Sequence, residues 1–326
     1  MRKHLFKQRM GFLLILYLLC LIQPFAEEAI HGFRTEKASF SIIFKNETSP
    51  YHIMGFFVLP EEQIMIRPVG DDKNELFAIH LSGGSITTIE ENKWRFQAPQ
   101  EPGLYPITIV RSADQDSMIL NVFVMVPFKK LKGEYLNGYR IGKYPTVLLR
   151  QLSIYSLPKG FIEVTKENEN TFISPHFQLK SFVSKQSGSY PKYVVLSERL
   201  LLKLELILEK LNEKGYACET LTIMSGYRTP YYNELIGNVK YSRHVWGGAA
   251  DIFVDVNPRD GMMDDLNQDG QINYKDAEIV YDIIDEMYGK PFYEIFIGGL
   301  GWYKKTQSHG PFVHVDVRGF RARWGD

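Results

Sequence analysis

Two histidines, two carboxylates and an arginine stand in three short segments of the C-terminal half of this 326-residue sequence. Arg228 lies in Ser-Gly-Tyr-Arg-Thr-Pro (225–230). His244 and Asp251 lie in Ser-Arg-His-Val-Trp-Gly-Gly-Ala-Ala-Asp (242–251), and His314 and Asp316 in Phe-Val-His-Val-Asp (312–316). Two neutral imidazoles and a carboxylate can hold Zn²⁺ and leave one position open for water. The metal lowers the pKa of that water towards neutrality, so that it can attack an amide. The chemistry these residue types predict is hydrolysis at a metal centre.

Spacing supports the grouping. Gly247, Gly248, Ala249 and Ala250 separate His244 from Asp251, and small residues let the backbone bend so that both side chains face one ion. Ile252 to Val254 reads as a strand with Asp251 at its start. His314 and Asp316 are two apart in an alternating strand and project from the same face. His244, Asp251 and His314 are the expected zinc ligands. Asp316 is expected either to act as general base or to orient His314. His309 is a further acid–base candidate, or a loop histidine. Arg228 is expected to bind a substrate carboxylate or an oxyanion, or to form a structural ion pair. Tyr227 and Ser242 are expected to line the site or to brace it.

These segments need a scaffold. Leu200, Leu201, Leu204, Ile207, Leu208 and Leu211 predict an amphipathic helix from Ser197, its N-cap, to about Lys214, with Gly215 ending it. Strands are expected at 220–224 and 295–297, and a helix at 279–287. Between the second and third expected zinc ligands, residues 265–276 match a calcium-binding loop. Asp265, Asn267, Asp269, Gln271 (through its carbonyl), Asn273 and Asp276 fall at the ligand positions, with Gly270 at the sharp turn and Ile272 as apolar plug. Structural Ca²⁺ is expected there.

The N-terminal half reads differently. Short alternating runs at 39–44, 104–110 and 119–126, separated by Gly- and Asp-rich turns, predict an all-β sandwich over 33–127. The stretch from Trp94 to Tyr105 resembles the end of an immunoglobulin-like domain. Residues 128–173 show no period and read as a linker or a wrapping segment, the solvated connection being the expectation. Arg2, Lys3, Lys7 and Arg9, followed by the apolar run 11–22, give residues 1–28 the layout of an export signal or an N-terminal anchor. The run is short of the ~20 apolar residues a bilayer span needs. An exported protein of the periplasm or cell envelope is expected, touching a membrane only through that helix. The 38 basic and 38 acidic side chains cancel, so nucleic acid is not an expected partner. Of the two cysteines, Cys218 is expected to be a small buried side chain.

Taken together, the three segments resemble the M15 zinc peptidases, the D-alanyl-D-alanine carboxypeptidases and related peptidoglycan endopeptidases. The resemblance covers roughly 174–326 and includes the terminal Arg318-Gly-Phe-Arg-Ala-Arg-Trp324. It implies an α+β zinc peptidase domain like that of D-Ala-D-Ala peptidases and hedgehog proteins, preceded here by the β-sandwich. It also implies peptidoglycan stem peptides or cross-links as substrate. One departure stands out. Many members place a glutamate base three residues before the last histidine ligand, where this chain has Pro311. The alternative expectation is therefore a wall-binding module that keeps the fold without catalysis.

Overall fold

In the computed structural model, which describes residues 33–70 and 75–325, apolar alternation builds two sheets in the N-terminal half. The export-signal reading of residues 1–28 falls outside the described residues. One sheet has five strands in the order Glu47–Tyr51, Lys37–Phe44, Gln63–Pro68, Lys93–Gln97 and Ser85–Glu90. The other has four: Ile53–Val58, Ser117–Val124, Gly103–Arg111 and Phe77–Leu81. Ile42, Phe44, Ile66 and Phe96 from the first sheet, with Ile107, Ile109, Leu120 and Val122 from the second, are fully buried in a shared core.

That core does not stop at residue 127. It runs on through helix α1 (Glu198–Glu213) into the C-terminal half. The expected apolar stripe of α1 is buried, but so are Lys203, Glu205, Glu209 and Asn212. The helix is enclosed because it lies between the sandwich and the C-terminal sheet. Tyr51 Oη donates to Glu209 at 2.8 Å on one side, and Lys203 Nζ donates to the Asp316 carbonyl at 2.8 Å on the other. Ser197 occupies the N-cap position but makes no side-chain cap hydrogen bond, contrary to expectation. Gly215 ends the helix as expected, with φ +90° and the Tyr216 N–H returning to Leu211.

Residues 128–173 are not a solvated linker. Gly160–Val164 pairs with Val126–Pro127 and with Lys192–Val194. Leu136, Tyr139, Ile141, Tyr144, Tyr155 and Phe161 form a second buried cluster with Tyr193, Val245 and Trp246. The segment wraps because its aromatic side chains bury apolar area without helical or strand periodicity.

The C-terminal half is α+β. Its five-stranded sheet has the order Thr222–Ser225, Ala249–Phe253, Phe312–Asp316, Gly299–Tyr303, Ala322–Gly325. All pairings are antiparallel except the last. Helix α2 (Pro230–Leu235) starts at Pro230, and the Thr229 hydroxyl accepts from the Tyr232 N–H at 3.0 Å. Helix α3 (Tyr274–Asp285) begins earlier than its apolar residues suggested, because Asn273 and Asp276 form a capping box. The strand expected at 295–297 is instead the end of a 3₁₀ turn, Pro291–Phe296. A three-residue apolar run carries no period that separates the two. Among the described residues no helix is long and apolar enough to cross a membrane.

Candidate metal centre

The two central strands of the C-terminal sheet carry the site. In their antiparallel pairing Asp251 lies opposite His314. Asp251 thus sits in mid-strand rather than at its start. His244 comes from the 3₁₀ turn Arg243–Trp246 that precedes these residues. Gly247 reverses the chain with φ +63°, and a Cβ there would lie 2.1 Å from the Val195 carbonyl oxygen, so only glycine fits.

Three ligand atoms converge. His244 Nε2 is 3.1 Å from Asp251 Oδ1 and 3.2 Å from His314 Nδ1, and His314 Nδ1 is 2.9 Å from Asp251 Oδ1. Bonds of 2.0–2.1 Å at tetrahedral angles would put neighbouring ligand atoms about 3.3 Å apart. The observed triangle is close to that size, and all three residues are buried. Among the described residues this is the group of acidic and imidazole side chains close enough to share an ion.

Outer partners fix each ligand. The Gly226 carbonyl can only accept, so the 2.7 Å contact places a proton on His244 Nδ1 and leaves Nε2 facing inward as a lone pair. His314 Nε2 meets Asp316 Oδ2 at 3.3 Å, which leaves its Nδ1 inward. Asp251 Oδ2 accepts from Arg228 Nη2 at 2.5 Å, and Arg228 Nε donates to Ser225 Oγ at 2.8 Å. Burial lowers the pKa of His244, favouring the neutral form a metal requires. Burial opposes ionisation of Asp251, but the two imidazoles outweigh it and hold the carboxyl well below the usual range. For His314, burial pulls the pKa down, and the bonds to Asp251 and Asp316 overcome it and raise it.

For several residues the geometry favours one of the expected alternatives. Asp316 is fully buried and accepts from the Gly299 N–H at 2.8 Å, the Arg318 N–H at 3.0 Å and the Arg318 guanidinium. Burial raises its pKa, but His314 and Arg318 together take it well below the carboxylate range. It also lies on the far side of the imidazole from the inward Nδ1. Asp316 therefore sits where it can orient His314, turned away from the inward face of the imidazole. Tyr227 is 1% exposed, with its hydroxyl 2.9 Å from that of Tyr144, so it lies within the aromatic core and not on the cavity wall. Ser242 does line the cavity, and its backbone closes the turn through Val239 and Val245. Arg228 lines the cavity too, but it is ion-paired with Asp251, which is the structural alternative.

In residues 265–276 the acidic and amide side chains hydrogen-bond within the loop. Asp265 accepts from the backbone N–H groups of Asp269 and Gly270, at 3.2 and 2.7 Å. Asp276, fully buried, accepts from Leu266 and Asn273 at 2.9 and 2.8 Å and caps α3. Asn267 and Asp269 contact each other at 3.2 Å, and the Gln271 N–H donates to Asp269. The carboxylates close the loop on itself, and the calcium expectation for Asp265, Asn267, Asp269, Gln271 and Asp276 gains no support.

The ligands open onto a cavity of about 970 Å³. Its wall includes His309, whose Nδ1 donates to the Gly310 carbonyl at 2.8 Å and whose ring stands edge-on to Phe312. Asp251 is the sole carboxylate among the lining residues, against the cations Lys185, Arg228, Lys240, Arg243 and Arg318. A second hollow of about 310 Å³ shares Lys185, Met224, Ser308 and His309 with the first. Sequence reasoning missed Lys185, Lys240, Arg243 and Tyr155. Arg243 alone had a signal, its place beside His244.

Residues 175–270 match the family model described as Peptidase M15. The matched stretch includes Arg228, His244 and Asp251 and ends before His314. The match supports a peptidase. No curated protein matches the chain.

Proposed function

We propose that this chain is an exported zinc peptidase that hydrolyses peptide bonds of bacterial peptidoglycan. The observation that carries the reading is the triangle of His244, Asp251 and His314, with sides of 2.9–3.2 Å. The residues fit zinc: two imidazoles and a carboxylate, buried, with each outer imidazole nitrogen tied to an acceptor. When bound, the metal supplies an acidified water and polarises the scissile carbonyl.

The chain's own residues do the rest. Asp316 and the Gly226 carbonyl hold the two imidazoles in the ligating tautomer, and Arg228 steadies Asp251. No cavity carboxylate remains for proton transfer once Asp251 is a ligand. That work falls to His309, which takes a proton from the attacking water and returns it to the leaving amine. The cationic wall suits the carboxylates of stem peptides. The hollow beyond His309 gives room for residues on both sides of the scissile bond, which favours cleavage within a cross-link over removal of a terminal residue.

Digestion of purified peptidoglycan, followed by mass spectrometry, tests the reading. New peptide ends should form with zinc, stop with a chelator and return when zinc is restored. Pro311 in place of an acidic residue favours the competing reading of a wall-binding module. Retention on peptidoglycan with no new ends under any metal condition would support that module instead.

A further inference from the structure

Arg243 immediately precedes His244 in the 3₁₀ turn that carries this ligand. It is 7% exposed and lines the cavity. Its Nη1 donates to the Ile154 carbonyl at 2.6 Å, and its guanidinium lies 5.2 Å from the centre of the Tyr155 ring. Nε is buried and has no hydrogen-bond partner. The carboxylates on either side, Asp251 and Asp316, are taken by Arg228 and Arg318. Among the described residues no ion pair includes Arg243.

Nη2 packs over Gly248, where an added Cβ would lie 2.6 Å away. The glycine thus makes room for the guanidinium. A buried cation whose neighbouring carboxylates are paired with other arginines is costly, and the cost falls when a further anion meets it. The guanidinium lines the cavity, and its planar charge suits the two oxygens of a carboxylate.

Resting on the peptidase reading, we propose that Arg243 anchors a carboxylate that the substrate carries close to the scissile bond. The substrate class is an acidic peptide, and amidation of that carboxylate weakens it. Arg228 cannot fill this role as well, since its Nη2 and Nε are committed to Asp251 and Ser225. Arg243 supplies the charge beside the ligand turn that those commitments remove from Arg228.

The test is calorimetric titration of the zinc-loaded protein with three forms of the tripeptide L-Ala-γ-D-Glu-L-Lys: both carboxyls free, the D-Glu carboxyl amidated, and the terminal carboxyl amidated. The wild type should lose binding on the order of tenfold for one of the two amides, the size of a charge-assisted contact. R243Q should lose that discrimination and bind all three forms alike. R243K, which keeps the charge but not the planar fork, should retain only part of it. Melting temperature and zinc stoichiometry identify a variant that has not folded. Equal binding of all forms by the wild type, or full discrimination in R243Q or R243K, would overturn the proposal. Failure of the peptidase reading would appear separately, as uncut peptidoglycan alongside an intact binding preference.

Discussion

Asp251 and His314 face each other across two antiparallel strands, with Oδ1 and Nδ1 2.9 Å apart. Sheet register thus fixes two of the three expected ligands before any metal arrives, and the turn ending at Gly247 adds the third. A one-residue slip would send both side chains to the opposite face.

Asp316→Asn should weaken zinc affinity about 10- to 100-fold, because the amide no longer holds His314 in its ligating tautomer as a carboxylate does. Competition with a chromophoric chelator measures this. A large fall in kcat with unchanged zinc affinity would restore Asp316 as a base and contradict the orienting role.

His309→Gln should lower kcat by about 10²- to 10⁴-fold, the usual share of a general base, while zinc stoichiometry stays at one per chain. An unchanged kcat would assign the proton transfer to another group.

Gly247→Ala should destabilise the fold by about 2–4 kcal/mol, from the left-handed backbone and the clash with the Val195 carbonyl. Urea unfolding of the metal-free protein reads this directly. A change below about 0.5 kcal/mol, the usual scatter of neutral substitutions, would mean that the turn relaxes freely.

Much of the site was legible because its residues are short-range and chemically distinctive. Ligand types, the glycines between them and the period-two placement of His314 and Asp316 all follow from local rules. Which of its two expected roles suits Asp316 was not legible, since that depends on Gly299 and Arg318 closing around both oxygens. Tyr227 lies within a motif, yet its hydroxyl is set by Tyr144, far away in sequence. Residues 128–173 misled for a similar reason, as their aromatic side chains find partners near Val245 and Trp246. In α1 the stripe was visible, but Lys203, Glu205 and Glu209 are buried by contacts with both halves of the chain, which no helical period encodes.

Lys203 yields a pH prediction. Burial pulls its pKa down to about 7, against the opposing charge of Asp316. The unfolded chain, near the ordinary lysine value of about 10.4, then binds more protons between those limits. The Lys203 contribution to stability should therefore rise as pH increases from about 7 towards 10. Chemical unfolding of wild type and K203M across that range should show the slope in the wild type and its loss in the variant. Parallel stability curves would mean that Lys203 titrates alike in both states.

The most direct measurement is anomalous diffraction at the zinc edge from crystals of the zinc-loaded protein. One peak should lie about 2.0–2.2 Å from His244 Nε2, Asp251 Oδ1 and His314 Nδ1 together. A zinc site elsewhere, or these three side chains without an ion between them at saturating zinc, would contradict it.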